Sequence, residues 1–346
     1  MKVLQKLRYS FLLVLVFILA INIPSCKNTP SENEAIDKNQ KTLESLKKID
    51  DFPLYVMKYY GDYHFNELLK FGSVRKPIII PMDNKIGCTC FAAFGLDSNP
   101  IMGRNFDWMN HPALLLFTHP PDGYASVSMV DISSLGYQKN SSLETIEQRK
   151  GLLNAPFIPF DGMNEKGVAV GMMAVPEAQP PFDAQRKSLQ DLEAIRLILD
   201  YASSVDEAVS LLKKYNILFS RSSGAPPLHY LVADAGGNSS VIEFIDNKMV
   251  VIPNDRPWQI STNFIIARSN AQKDPENTSC FRYNTGYKFL NEKNGKLTHE
   301  EAMQMLSRVS QNITIWSVVY DLGKKEINVV MGKKYDQVKI FNLNDF

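Results

Sequence analysis

Gly87-Cys88-Thr89 opens an apolar, strand-like run directly after the turn-rich segment PMDNK, and the return of the chain carries Gly103-Arg104-Asn105-Phe106-Asp107. Arg104 and Asp107 stand 16 and 19 residues beyond Cys88. Two antiparallel strands joined by a turn bring side chains at such separations side by side. A guanidinium beside a thiol favours the thiolate, which is what a nucleophilic cysteine requires. Read alone, a cysteine at a strand start is more often a small buried hydrophobe, so the arginine and aspartate make the candidate.

The other residues with reactive chemistry assemble less readily. The four cysteines are too few for a disulfide scaffold and make no zinc-type pair of pairs. Cys90 is two residues from Cys88 on one strand face, too far for a relaxed disulfide, and reads with Cys280 as a packed thiol. The five histidines (64, 111, 119, 229 and 299) show no close pairing, which argues against a cysteine–histidine protease or a metal centre. Trp108, Phe117, Met172 and Met173 are candidates for an apolar pocket, although such residues in strands more often form core.

The elements that must position these residues are strands first and helices second. From residue 77 the segments PIIIP, CTCFAAFG, IMGRNFDW, ALLLFTH and YASVSMVDIS read as strands divided by Gly, Pro, Asn and Asp turns. Helical spacing follows over about 188–215, where Asp206 is the expected cap of DEAVSLLKKY. HYLVADAGGNSSVIEFIDNKMVVIP reads as a hairpin turning at Gly236-Gly237-Asn238. A helical zone at roughly 282–308 precedes the hairpin WSVVYDLGKKEINVVMG and the strand VKIFNL. Strand groups and helix groups are segregated, so the expected class is α+β, with no internal repeat and no second domain boundary.

Ahead of the strands, Lys2, Lys6 and Arg8 precede the apolar run FLLVLVFILAINI, too short to span a bilayer comfortably and shaped like a secretory signal. The run ends in Ile23-Pro24-Ser25-Cys26, similar to a bacterial lipobox with Cys26 as the lipidation site. An ordinary signal peptide with a chance cysteine is the alternative. The expected division is a signal peptide over 1–25, a polar tether over 26–42, a helical prelude over 43–87 and the main domain over 88–346. Within the prelude, Leu46, Ile49, Leu54, Met57, Phe65, Leu68 and Leu69 suggest two short amphipathic helices over residues 43–71, broken at Gly61. The place implied is a bacterial envelope membrane, reached through acyl chains on Cys26.

Composition narrows the partners. The chain has 346 residues, 45% hydrophobic and 22% charged, with 38 Lys plus Arg against 37 Asp plus Glu. No block of like charge suits nucleic acid.

Taken together, Cys88-Thr89, Gly103-Arg104-Asn105-x-Asp107, Asp161-Gly162-Met163-Asn164-Glu165-Lys166-Gly167, Ser261-Thr262-Asn263 and Phe281-Arg282-Tyr283 resemble, in order, the choloylglycine hydrolase and penicillin V acylase family. Those are N-terminal-nucleophile hydrolases, with acid ceramidase, N-acylethanolamine acid amidase and an acyl-coenzyme A:6-aminopenicillanate acyltransferase as relatives. The resemblance implies a four-layer αββα sandwich with Cys88 as nucleophile. Arg104 becomes its electrostatic neighbour, and Asp107 the carboxylate that orients the freed α-amino group. Asn263 resembles the oxyanion-hole amide and Arg282 a second active-site arginine. A further oxyanion donor falls near Ala174, where only a backbone N–H is on offer; an Asn or Tyr is common there in the bile-salt and penicillin enzymes, and their substrates are correspondingly less indicated.

The resemblance also implies that the chain is cut between Gly87 and Cys88 by the Cys88 thiol itself. A residue without Cβ suits that acyl shift, and Gly87 also fits an ordinary turn. A freed α-amino group, with a pKa of about 7.7–8.0, then serves as general base toward its own thiol. The implied activity is hydrolysis of a linear N-acyl amide with a small-molecule substrate, with neither metal nor organic cofactor, and with a second copy of the chain as a candidate partner. An acyltransferase and a non-catalytic envelope-binding lipoprotein are the alternatives.

Overall fold

In the computed structural model the described residues are 32–73, 87–96, 99–109, 111–219, 226–268 and 278–345. The expected signal peptide, the expected lipidation site Cys26 and the expected strand PIIIP lie outside them. The elements run α1 (Glu32–Glu44), β1 (Lys47–Asp50), β2 (Leu54–Lys58), α2 (Phe65–Phe71), β3 (Gly87–Ala93), β4 (Ile101–Asp107), β5 (Ala113–Thr118), β6 (Ser126–Asp131) and α3 (Ile146–Arg149). There follow β7 (Asp161–Asn164), β8 (Ala169–Ala174), β9 (Ser188–Gln190), α4 (Asp191–Tyr201), α5 (Val205–Leu212), β10 (Asn216–Leu218), β11 (Leu228–Ala233) and β12 (Ser239–Ile245). The chain closes with β13 (Lys248–Pro253), β14 (Trp258–Ser261), α6 (Thr278–Lys293), α7 (His299–Arg308), β15 (Thr314–Asp321), β16 (Glu326–Met331) and β17 (Lys339–Asn342).

Two large sheets face each other. One has nine strands in the order β1-β2-β5-β6-β7-β8-β11-β12-β13, and the other six in the order β14-β3-β4-β15-β16-β17. They meet where β3 packs on β8, and Gly171 of β8 permits that approach. A Cβ there would come within 2.9 Å of Cys90 Sγ and 3.2 Å of Arg104 Cδ. Helix α4 lies against β7 and β8 on the outer face of the larger sheet, and α6 and α7 lie against β3, β14, β4 and β15 of the smaller one. The result is the αββα sandwich.

Local sequence explains the layers. Every residue of β3 and β4 is buried, because these central strands are covered by a sheet on one side and helices on the other. Helix α7 starts at a capping box, with Thr298 accepting from the Glu301 N–H and the Glu301 carboxylate accepting from the Thr298 N–H. Helix α5 is capped by Ser204, whose hydroxyl accepts from the Glu207 N–H, rather than by Asp206 as expected. Ser204 takes the extended backbone that a cap requires, and Asp206 falls within the first turn, where its charge favours the helix dipole. The run from His229 to Pro253 contains three strands, since Asp246 and Asn247 adopt positive φ and make a second turn.

The segment ahead of Cys88 departs most from expectation. Residues 43–71 hold the end of α1, then the strands β1 and β2 and the short helix α2, in place of two helices. The three-residue spacings Leu46/Ile49 and Leu54/Met57 mimic a helix, but Ile49 is exposed, and Leu54, Val56 and Met57 are buried on a strand that pairs in parallel with β5. Pairing with an existing sheet edge outweighs so weak a local pattern. The tether expected over 26–42 includes most of α1, whose end is fixed by Arg149 Nη1 donating to the Leu43 carbonyl at 2.9 Å.

Candidate active site

The site is built on the pair β3 and β4. Cys88 is opposite Phe106, and Cys90 is opposite Arg104, so Arg104 is the diagonal neighbour of Cys88 on the face turned toward the larger sheet. Arg104 Nη2 lies 3.5 Å from Cys88 Sγ, and Nη1 donates to the Phe160 carbonyl at 2.8 Å and to the Asp161 carboxylate. Asp161 also accepts from Tyr320 Oη at 2.5 Å and Trp316 Nε1 at 3.1 Å. The guanidinium is thus held from behind by a fixed, buried anion and keeps one edge for sulfur.

Cys88 is almost wholly buried, and burial pushes its thiol pKa up. Arg104 and Arg282 pull it back and Asp107 adds to the rise; the balance stays above the ordinary value. The thiol is therefore protonated at neutral pH and would need a base before it could act as a strong nucleophile. Cys90 is raised further, again first by burial.

Asp107 sits directly across from Gly87 in the strand register. Its carboxylate accepts from Gln311 Nε2 at 2.7 Å and from Thr314 Oγ1 at 2.5 Å. A Cβ on residue 87 would fall 1.9 Å from Gln311 Nε2 and 3.0 Å from Asp107 Oδ2, so any larger residue there would push the Gln311 amide away from Asp107.

Asn263, in the loop after β14, lies over the backbone of Cys88. Its Oδ1 accepts from the Cys88 N–H at 2.7 Å and from Arg282 Nη2 at 2.8 Å, and its Nδ2 donates to the Ala174 carbonyl at 2.9 Å. Arg282, near the start of α6, also donates to the Cys88 carbonyl and, at 3.0 Å, to Thr89 Oγ1. Ala174, at the end of β8, therefore meets the site through its carbonyl oxygen, whereas the sequence reading expected its N–H.

Cys88, Arg104, Asp107, Asn263, Arg282, Gly87 and Ala174 are thus brought together from β3, β4, β8, α6 and the loop after β14. Trp108, Phe117, Met172 and Met173 are buried, as are Cys90 and Cys280. Among the described residues no group of three or more His, Cys, Asp or Glu could hold a metal ion.

Several contributing residues were not anticipated. Gln311 and Thr314, which hold Asp107, lie 204 and 207 residues away from it along the chain and carry no local signature. His229 and Glu243 anchor the loop that bears Asn263. Their signal was a lone His in LHYLVA and a lone Glu in SSVIEFI, titratable residues set into two strands that are buried throughout.

The chain resembles proteins already known in sequence and in structure. Penicillin V acylase of Pectobacterium atrosepticum is 26% identical over 200 residues, covering 54% of this chain and 52% of that protein. An uncharacterized protein of Paramecium bursaria Chlorella virus 1 is 30% identical over 109 residues, covering 30% of this chain and 39% of that protein. The alignments therefore take in about half the length of these curated relatives or less. The fold is shared with penicillin V acylase from Agrobacterium tumefaciens, at a TM-score of 0.50 and 19% identity over 73% of this chain and 85% of that one. It is shared too with a mutant conjugated bile acid hydrolase from Clostridium perfringens, at a TM-score of 0.55 and 17% identity over 75% of this chain and 93% of that one. Residues 88–264, just over half of the chain and the stretch that begins at the candidate nucleophile, match the model of the linear amide C-N hydrolases; the chain belongs to the choloylglycine hydrolase family.

Proposed function

We propose that this chain is a cysteine N-terminal-nucleophile amidase that hydrolyses a linear N-acyl amide after cutting itself between Gly87 and Cys88. The observation that carries the reading is the placement of Cys88 Sγ 3.5 Å from Arg104 Nη2, with Asn263 and Arg282 gripping the Cys88 backbone. Maturation begins when the thiol attacks the Gly87 carbonyl carbon. The C–N bond to Cys88 breaks, a thioester forms and the Cys88 nitrogen takes the proton. Water then hydrolyses the thioester to a Gly87 carboxylate and a free thiol.

The freed amine solves the protonation problem of the buried thiol. It sits on the atom that now donates to Asn263 Oδ1, next to Asp107, and with a pKa of about 7.7–8.0 it can take the proton from sulfur. The thiolate attacks the substrate carbonyl, the ammonium returns the proton to the leaving nitrogen, and water releases the acid from the acyl-enzyme. Asn263 is the side-chain donor proposed for the tetrahedral oxyanion. For that role its Nδ2 must exchange the Ala174 carbonyl for the substrate oxygen; such a donor is commonly worth about 3 kcal/mol.

Two further elements accompany this reading. The segment containing β1 and β2 remains bound after the cut, supported by the position of β2 inside the nine-stranded sheet. Cys26 carries an envelope lipid anchor, a proposal from the Ile23-Pro24-Ser25-Cys26 sequence that labelling with a radioactive fatty acid in wild type and Cys26→Ser would check. For the activity, the test is a panel of N-acyl amides of graded acyl length given to the detergent-solubilised full chain and to Cys88→Ala. Release of free acid by the wild type alone supports the reading, and transfer of the acyl group to an added amine in preference to water replaces it with an acyltransferase. Absence of turnover in both, with the Gly87–Cys88 bond intact, would leave a binding protein.

A further inference from the structure

Strands β11 and β12 run through the core, yet each carries a residue that is costly to bury there, His229 and Glu243. Tyr230 pairs with Ile242, so His229 and Glu243 continue the same register one step further and face each other, with Nδ1 3.3 Å from Oε1. Both side chains are fully buried. Each has a second contact, and all of these reach one loop. His229 Nε2 lies 2.7 Å from the Thr262 carbonyl oxygen, an atom that can only accept, so Nε2 carries a proton; Ser261 Oγ is 3.3 Å from the same nitrogen. Glu243 accepts from the Ile266 N–H at 2.6 Å and from the Ala267 N–H at 3.0 Å. Burial raises the Glu243 carboxyl, and His229 with these two N–H groups more than reverses the rise, so the group stays ionised.

We propose that His229 and Glu243 act together as a clamp on the 261–267 loop and so position Asn263 over the nucleophile. The pair grips the residue immediately before Asn263 and the N–H groups three and four residues after it. Asn263 in turn holds the Cys88 N–H and Arg282. A shift of the Thr262 carbonyl would move the side-chain amide off both. His229 and Glu243 are positioning residues: among the described residues their side-chain hydrogen bonds run to the loop and to each other. The catalytic half of this inference rests on the amidase reading, while its structural half stands apart from it.

The test uses the full chain with His229→Phe, which keeps a ring and loses the N–H, His229→Gln, which restores a donor toward Thr262, and Glu243→Gln. Hydrogen exchange is read on amides of residues 261–268 and on those of β11 and β12, beside kcat and KM on any amide that the wild type hydrolyses. The clamp predicts faster exchange confined to 261–268 in His229→Phe and Glu243→Gln. It also predicts kcat down about tenfold or more with KM within about twofold, and substantial recovery in His229→Gln. Unchanged exchange at 261–268 in both disrupting variants would overturn it, as would loosening spread over β11 and β12 with His229→Gln no better than His229→Phe. If the wild type hydrolyses no amide, the amidase reading falls, and exchange at the loop still decides the clamp.

Discussion

Arg104 and Arg196 are both fully buried and both paired to a buried aspartate, yet the third partner is a thiol in one case and a tyrosine in the other. Arg196 is used up. Its Nε donates to the Pro156 carbonyl at 2.6 Å, Nη1 reaches Thr118, Ser126 and Asp200, and Nη2 reaches Ser128 at 3.3 Å. Asp200 accepts Tyr63 Oη at 2.8 and 2.7 Å, so this cluster fastens the N-terminal segment to the larger sheet. Arg104 is held by Phe160 and Asp161, and among the described residues its Nε has no hydrogen-bond partner and Nη2 hydrogen-bonds to sulfur alone. The same buried ion pair secures a chain segment when every donor nitrogen is spent on oxygen, and can support an anion when one edge is left for a titratable group.

The contrast can be broken by exchanging each arginine for methionine. Arg104→Met should lower hydrolysis by about 10²-fold or more, because a preorganised cation beside the thiolate is lost. Arg196→Met should leave turnover of the folded protein within about threefold and act on stability instead, costing about 3–5 kcal/mol as Asp200 is stranded. Steady-state rates and urea unfolding on the two variants separate these outcomes. Equal losses of rate in both would erase the distinction.

Tyr63→Phe sharpens the fastening half. It removes hydrogen bonds to a charged carboxylate, an expected loss of about 1.5–3 kcal/mol by denaturant titration. After self-cleavage the variant's N-terminal fragment should dissociate at lower urea than that of the wild type. The pH dependence of the same cluster has a defined sign. Burial raises Asp200 to about 6 from its ordinary 3.8, against the pull of Arg196 and Tyr63. The folded state therefore binds this proton more tightly than the unfolded chain, and the contribution, fully present below pH 3.8, is lost as the pH rises through about 6. Asp200→Asn should remove that slope when unfolding is compared at pH 4, 5, 6 and 7. Smallest of all, Cys90→Ala should cost about 1 kcal/mol of packing and leave turnover within about twofold, since Cys90 is a buried thiol in the same strand.

The two halves of the comparison were not equally legible. Cys88, Arg104 and Asp107 stood out because a strand start, a turn and a return strand put three reactive types within 20 residues, and β3 with β4 realises that pairing directly. Asn263 and Arg282 were reached through their family motifs, since 175 and 194 residues separate them from Cys88. The fastening half was missed. Tyr63, Arg196 and Asp200 converge only once β2 has joined β5, and the short strands β1 and β2 carry apolar spacings that suit a helix equally well. Strand identity there is decided by the neighbouring sheet, which no local window contains.

The central claim is that Cys88 is a nucleophile that frees its own amine. The most direct measurement is the denatured intact mass of the full chain after purification in detergent, beside Cys88→Ala. The account predicts two wild-type fragments that meet at Gly87 and Cys88, and an uncut Cys88→Ala chain. Cleavage at that bond in both proteins would contradict it, and so would a wild type that hydrolyses amides with the bond still whole.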